Sequence, residues 1–169
     1  MLTRKRLYKD PLRIGEMQLV IDDLRSFETN LKPPFTLITG TPIIIRISKE
    51  RYQKFNIKTK YPYDYVYWRK EYPLEMFTRQ LEENLCAKYA EFTGQESTRE
   101  NELPLIQKLT FKKQISTRIN LHDTEQIIIG SLWEFSFDND LNKELMQFGL
   151  DCGLGERNSM GFGFMNLLR

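Results

Sequence analysis

The stretch GLGERNSMGFGF, residues 153–164, places four of the chain's nine glycines within eleven positions, with Arg157, Asn158 and Ser159 between them. Glycine tolerates φ > 0 and lets a backbone approach another surface closely. Gly153, Gly155, Gly161 and Gly163 therefore predict a tightly folded loop. With its N–H groups accessible, such a loop could cradle an anion, because successive backbone amides form a positive concavity. The familiar phosphate loops do not fit. A dinucleotide fingerprint requires G-x-G-x-x-G, and Asn158 stands at the third glycine position. A Walker loop requires a Gly-Lys pair, which this chain lacks.

Other residues carry weaker chemistry. His122, the single histidine, is read either as a general base or as a solvent-exposed turn residue. Lys108, Lys112 and Arg118 share one parity of an alternating segment. Alone they describe an ordinary solvated strand face; beside an RNA they would be phosphate contacts. Tyr52, Tyr61, Tyr63, Tyr65, Tyr67 and Tyr72 could stack on bases, or several could simply pack. Cys86 and Cys152 lie far apart without metal-like spacing and read as reduced thiols. One histidine and two distant cysteines give no expected metal site, and no cofactor is implied.

The elements that must position these groups follow from periodicity. Residues 13–28 alternate loosely and predict one or two strands, ended by the Pro-Pro break at 30–34. Residues 35–47, FTLITGTPIIIRI, are apolar on both parities and predict one central strand. Residues 48–72 show no clear period and read as an irregular insertion or marginal hairpin. A helix is predicted over 73–92, with Leu74, Phe77, Leu81, Leu85, Tyr89 and Phe92 on one stripe and Gly94 as its stop. Residues 104–121 and 126–137 read as strands joined by a turn at HDTE, and 140–150 as a short helix capped by Asp138 or Asn139. In the first of these strands Leu105, Leu109, Phe111, Ile115 and Ile119 should share the buried face. The glycine stretch and a last strand finish the chain. From Phe35 the order is strand, helix, strand, strand, helix, strand. This predicts an α+β, ferredoxin-like (RRM-like) βαββαβ domain over 35–169, with a partial ferredoxin-like segment at 1–30.

The glycine stretch resembles the C-terminal motif of the CRISPR-associated RNA-binding (repeat-associated mysterious protein) superfamily: G-h-G, five variable residues with a basic one, then G-h-G-h-h. Here this is Gly153-Leu154-Gly155, a spacer containing Arg157, and Gly161-Phe162-Gly163-Phe164-Met165. Within it the chain is similar to the endoribonucleases that cut the CRISPR repeat transcript. Their NL..KY helix is matched by Asn84-Leu85 and Lys88-Tyr89, and their T-x-(S/G)-P-I strand entry by TGTPIII at 39–45. The resemblance implies two tandem ferredoxin-like domains, of which this chain holds the second and the last strands of the first. It implies metal-independent cleavage through attack of a ribose 2′-OH, leaving a 2′,3′-cyclic phosphate. It also implies a catalytic histidine in the first domain's early part, which no residue here matches, so no catalytic residue is assigned.

Binding of CRISPR repeat RNA is the function this points to, through Gly153, Gly155, Arg157, Asn158, Ser159, Gly161 and Gly163 together with Lys108, Lys112 and Arg118. The alternative is a non-cleaving subunit or remnant that holds guide RNA among other CRISPR-associated effector subunits. Net charge is only +2, so any RNA contact must come from a local patch. The basic start MLTRKRLYKDPLRIG lacks the apolar run of a secretory signal, and no segment approaches bilayer-spanning length. The expected setting is cytoplasmic, without a membrane partner.

Overall fold

A computed structural model describes residues 11–23, 29–94, 105–106, 108–121, 124–139 and 142–168. The chain divides into two compact units, Met1–Asn30 and Leu31–Arg169. In the first, β1 (Leu12–Ile14) pairs antiparallel with β2 (Met17–Leu19). Gly15, at φ 60°, makes the turn between them.

The second unit is built on four strands. These are β3 (Phe35–Thr39), the long pair β6 (Lys108–Leu121) and β7 (Thr124–Phe137), and β8 (Met165–Leu168). Their order is β6-β7-β3-β8, and every pairing is antiparallel. With α2 (Leu74–Thr93) after β3 and α3 (Lys143–Cys152) after β7, this is the split βαβ arrangement. Odd-numbered residues of β3 and β7 face the helices. Leu37, Trp133, Phe135 and Phe137 bury against Phe77, Leu81 and Leu85 of α2 and Met146 of α3. The Trp133 and Phe77 rings stack with centroids 4.4 Å apart, and Trp68 adds a tilted ring 5.0 Å from Phe77. The α2 stripe is narrower than its sequence suggests: Leu74 and Phe92 are exposed. Helix α2 ends where Gly94 takes φ 70°, and α3 begins after Asn142 rather than after Asp138 or Asn139.

The expected single strand over 35–47 is interrupted. Strand β3 stops at Thr39, whose Oγ1 accepts from the Trp133 N–H (2.7 Å) and donates to the Trp133 carbonyl (3.1 Å). A side chain thus takes over from the backbone ladder, and Pro42 has no N–H with which to resume it. After this break Arg46–Ser48 forms β4, followed directly by α1 (Lys49–Lys54). Strand β4 pairs antiparallel with β5 (Tyr65–Tyr67) in a separate two-stranded sheet. The segment 48–72, read as an irregular insertion or marginal hairpin, therefore holds a helix and a strand that pairs back onto β4.

The β6–β7 pair corrects a second expectation. Phe111 lies opposite Trp133, but Lys113 lies opposite Leu132, so one residue bulges out at Lys112. A one-residue slip exchanges the faces of everything beyond it. Leu109 and Phe111 stay on the helix-facing side, whereas Ile115 and Ile119 pass to the other. Ile119 there packs against a small second cluster of Ile44, Ile128 and Phe162. The pairing continues to Leu121↔Thr124, so Thr124 and Glu125 belong to the strand and not to the expected HDTE turn. His122 lies outside the described residues.

Candidate nucleic-acid interface

All four glycines of the 153–164 stretch lie at positive φ: 86° at Gly153, 72° at Gly155, 84° at Gly161 and 74° at Gly163. Three are also sterically locked, Gly153 among them, where a Cβ would sit 2.7 Å from Asn158 Nδ2. A Cβ on Gly163 would sit 1.9 Å from the Leu154 carbonyl oxygen, and one on Gly155 would sit 2.7 Å from the Ile44 carbonyl oxygen. At Gly161 a Cβ would meet nothing within 4 Å, so only its backbone angle calls for glycine. Much of the loop's backbone is closed within the chain. The N–H groups of Gly153, Leu154, Glu156, Met160, Gly161 and Gly163 all donate to backbone carbonyls of the same chain. Those six amides are not available to a ligand.

Two separated stretches hold this loop. From one side come residues 40–44: Gly163 N–H donates to Pro42 O (2.9 Å), Glu156 N–H to Ile44 O (2.9 Å) and Gly40 N–H to Phe164 O (2.8 Å). The Glu156 carboxylate also takes the Arg46 backbone N–H (3.0 Å) and pairs with the Arg46 guanidinium. From the other side α2 sends Lys88. Its ammonium donates to Gly153 O (2.8 Å), Gly155 O (3.1 Å) and Asn158 Oδ1 (2.9 Å), filling its three donor positions. Burial pushes the Lys88 pKa below its ordinary value, while the Cys152 and Glu156 charges oppose the shift. Asn158 completes the knot by donating Nδ2 to Leu154 O (3.2 Å) and Phe162 O (2.9 Å). The TGTPIII, NL..KY and glycine stretches, remote in sequence, thus meet in one place.

This geometry sorts the predicted residues. Gly153, Gly155 and Gly163 are buried, and the Asn158 amide is used on the loop itself, so these residues shape the loop. Ser159 and Gly161 are exposed at its tip and Arg157 is half-buried beside them. Arg157 adopts φ 61°, and its Nε is buried with no acceptor among the described residues. Its guanidinium Nη1 lies 3.7 Å from the Met160 sulfur.

The three basic residues of β6 do not share a face. Lys108 and Lys112 lie on the side away from the helices, where Lys112 is ion-paired with Glu134. Arg118 lies on the helix-facing side beyond the bulge, opposite Ile127 and 3.6 Å from Glu125. Alternation alone could not reveal the split, because the polar and apolar parities run on through the bulge. Lys88, Arg46 and Glu156 were missed as loop-holding residues. Lys88 carried a signal, being part of the NL..KY match, but its acceptors lie 65–70 residues away in sequence.

Beside the loop, β5 lifts a row of tyrosines. Tyr65 and Tyr67 meet edge to face at 5.6 Å, and the Arg46 guanidinium lies 4.9 Å above the Tyr65 ring. Burial pushes the Tyr67 phenol above its ordinary pKa, helped by Tyr65 and opposed by the charges of Arg157 and Arg46. Tyr67 also packs on the Ile44, Ile128 and Phe162 cluster, so it links the glycine loop to β5. Among the described residues no group of three or more His, Cys, Asp or Glu could hold a metal ion, and no helix is long and apolar enough to cross a membrane.

Comparison with known proteins places this geometry. A family model described as "CRISPR associated protein Cas6, C-terminal" matches residues 28–167. "CRISPR-associated endoribonuclease Cas6 2" of Methanocaldococcus jannaschii is 27% identical over 175 residues, covering 95% of this chain and 64% of that protein. "CRISPR-associated endoribonuclease Cas6" of Haloferax mediterranei is 26% identical, covering 92% and 60% respectively. A solved structure titled "CRISPR associated protein Cas6" superposes with TM-score 0.65 at 20% identity, covering 97% of this chain and 61% of the other. Another, titled "An RAMP protein binding different RNA substrates", gives 0.57 at 24% identity, covering 95% and 60%. The two structures share the fold. The chain spans under two thirds of the length of each of these relatives.

Proposed function

Because the chain belongs to the family described as CRISPR associated protein Cas6, C-terminal, we propose that it binds CRISPR repeat RNA in the cytoplasm, in the service of metal-independent cleavage to mature guide RNA. In this reading the unit Met1–Asn30 belongs to a first ferredoxin-like domain and Leu31–Arg169 is the second, RNA-holding one. The observation that carries the proposal is the glycine loop, knotted by Lys88 and Asn158 and holding the half-buried Arg157 beside the exposed Ser159 and Gly161. The exposed part of the Arg157 guanidinium carries N–H donors in a planar fork that phosphate oxygens accept.

The loop's rigidity matters for the same reason. Many of its backbone amides and the Asn158 side chain are already bonded within the chain, so an RNA meets a pre-set surface and little ordering cost falls on the loop. Ser159 and Gly161 at the tip let a sugar–phosphate backbone pass close to it. Lys108 supplies charge on the open sheet face, whereas Lys112 is already engaged by Glu134.

The test is binding of a labelled CRISPR repeat RNA by the purified chain in EDTA, with the product ends analysed. Salt-sensitive binding weakened by Arg157→Ala is expected. A cyclic phosphate end would establish cleavage by this chain, and binding without cleavage would make it an RNA holder. No binding at low salt would overturn the proposal.

A further inference from the structure

A second surface lies outside the glycine loop. Residues 58–72, on either side of β5, and the outer half of β7 enclose a groove of about 710 Å³. Tyr63, Tyr65 and Tyr67 line it with Ile127 and Ile129 as an apolar floor. Tyr63 is 50% exposed and Tyr65 37%, so ring surface is open to a ligand. Lys58, Lys60 and Arg69 stand around it against one acid, Asp64. Arg118 projects from the same side of the hairpin as Ile127. The groove joins the glycine loop through Tyr67, which touches both.

We infer that this groove is a subsite for an unpaired RNA segment, whose bases stack on Tyr63 and Tyr65 while Lys58, Lys60 and Arg69 follow its phosphates. The inference rests on the proposed RNA-binding function and adds to it where and how single-stranded RNA is held. Stacking platforms alternating with cations are the chemistry that recognises unpaired nucleic acid, since every base offers a π-face and every nucleotide a phosphate. An acidic or apolar peptide fits less well: it would leave either the exposed rings or the cations without complementary groups. Tolerance of any base follows, because the rings read a face and not an edge.

The test uses the full chain and a labelled, unstructured oligouridylate RNA, with a labelled CRISPR repeat RNA alongside. Tyr65→Ala and Tyr63→Ala should each weaken oligouridylate binding roughly 10-fold or more. Tyr65→Phe keeps the ring and should bind within about 3-fold of wild type, and melting temperatures report that each variant is folded. If oligouridylate does not bind, or binds every tyrosine variant like wild type, the groove is not this subsite. Repeat-RNA binding that remains sensitive to Arg157→Ala in that case leaves the proposed function standing. If wild type binds neither RNA, both readings fall.

Discussion

Gly163 and Gly161 look alike in sequence and differ sharply in what they tolerate. Gly163→Ala would drive a Cβ to 1.9 Å from the Leu154 carbonyl oxygen at φ 74°, so the loop must open to accept it. Gly161→Ala enters open space and incurs only the left-handed backbone penalty, about 1–2 kcal/mol. Chemical denaturation should show a small loss for Gly161→Ala and a loss several times larger, or no folded protein, for Gly163→Ala. Lys88→Met removes one cation from three acceptors. It should cost at least about 2 kcal/mol, and it should lower RNA affinity even where the protein remains folded, because Asn158 and the loop lose their anchor. The need for positive φ was legible in the glycine cluster itself. The use of its amides was not: the acceptors for Glu156 and Gly163 are carbonyls of Ile44 and Pro42, more than a hundred residues earlier. Local sequence reports which backbone angles are open, not which distant carbonyl arrives to fill a hydrogen bond.

At the scale of elements, α2 leans on packing through Met76, Phe77, Leu81 and Leu85. Leu81 is 1% exposed between the sheet and α3. Leu81→Ala should cost about 2–5 kcal/mol, read from the shift in denaturation midpoint, while Phe92→Ala on the exposed end should cost far less. The helix and the long strand pair were legible because their periods run for many residues. The break after Thr39 and the bulge at Lys112 were not. In 35–47 both parities are apolar, so nothing in the pattern marks where one strand ends and the next begins, although Gly40 and Pro42 stand at the break. In β6 the bulge moves Arg118 to the opposite face from Lys108 without disturbing the alternation. Charge removal at Lys108 and at Arg118 should consequently act on different parts of a bound RNA.

For the whole molecule, a net charge of +2 means that no global field holds RNA; affinity must come from where cations are placed. The βαββαβ order was legible from the succession of periods, and the family from three short stretches in the right order. Their convergence around Lys88 gives those stretches a shared physical reason: two supply the seat and the third is the loop that fills it. The most direct measurement of the central claim is the slope of log K against log salt for repeat RNA, taken on wild type and Arg157→Ala with matched melting temperatures. The account predicts weaker binding for the variant across all RNA sequences and a slope shallower by about 0.7–0.9, the loss of one phosphate contact. An unchanged affinity and an unchanged slope in a folded Arg157→Ala protein would contradict it.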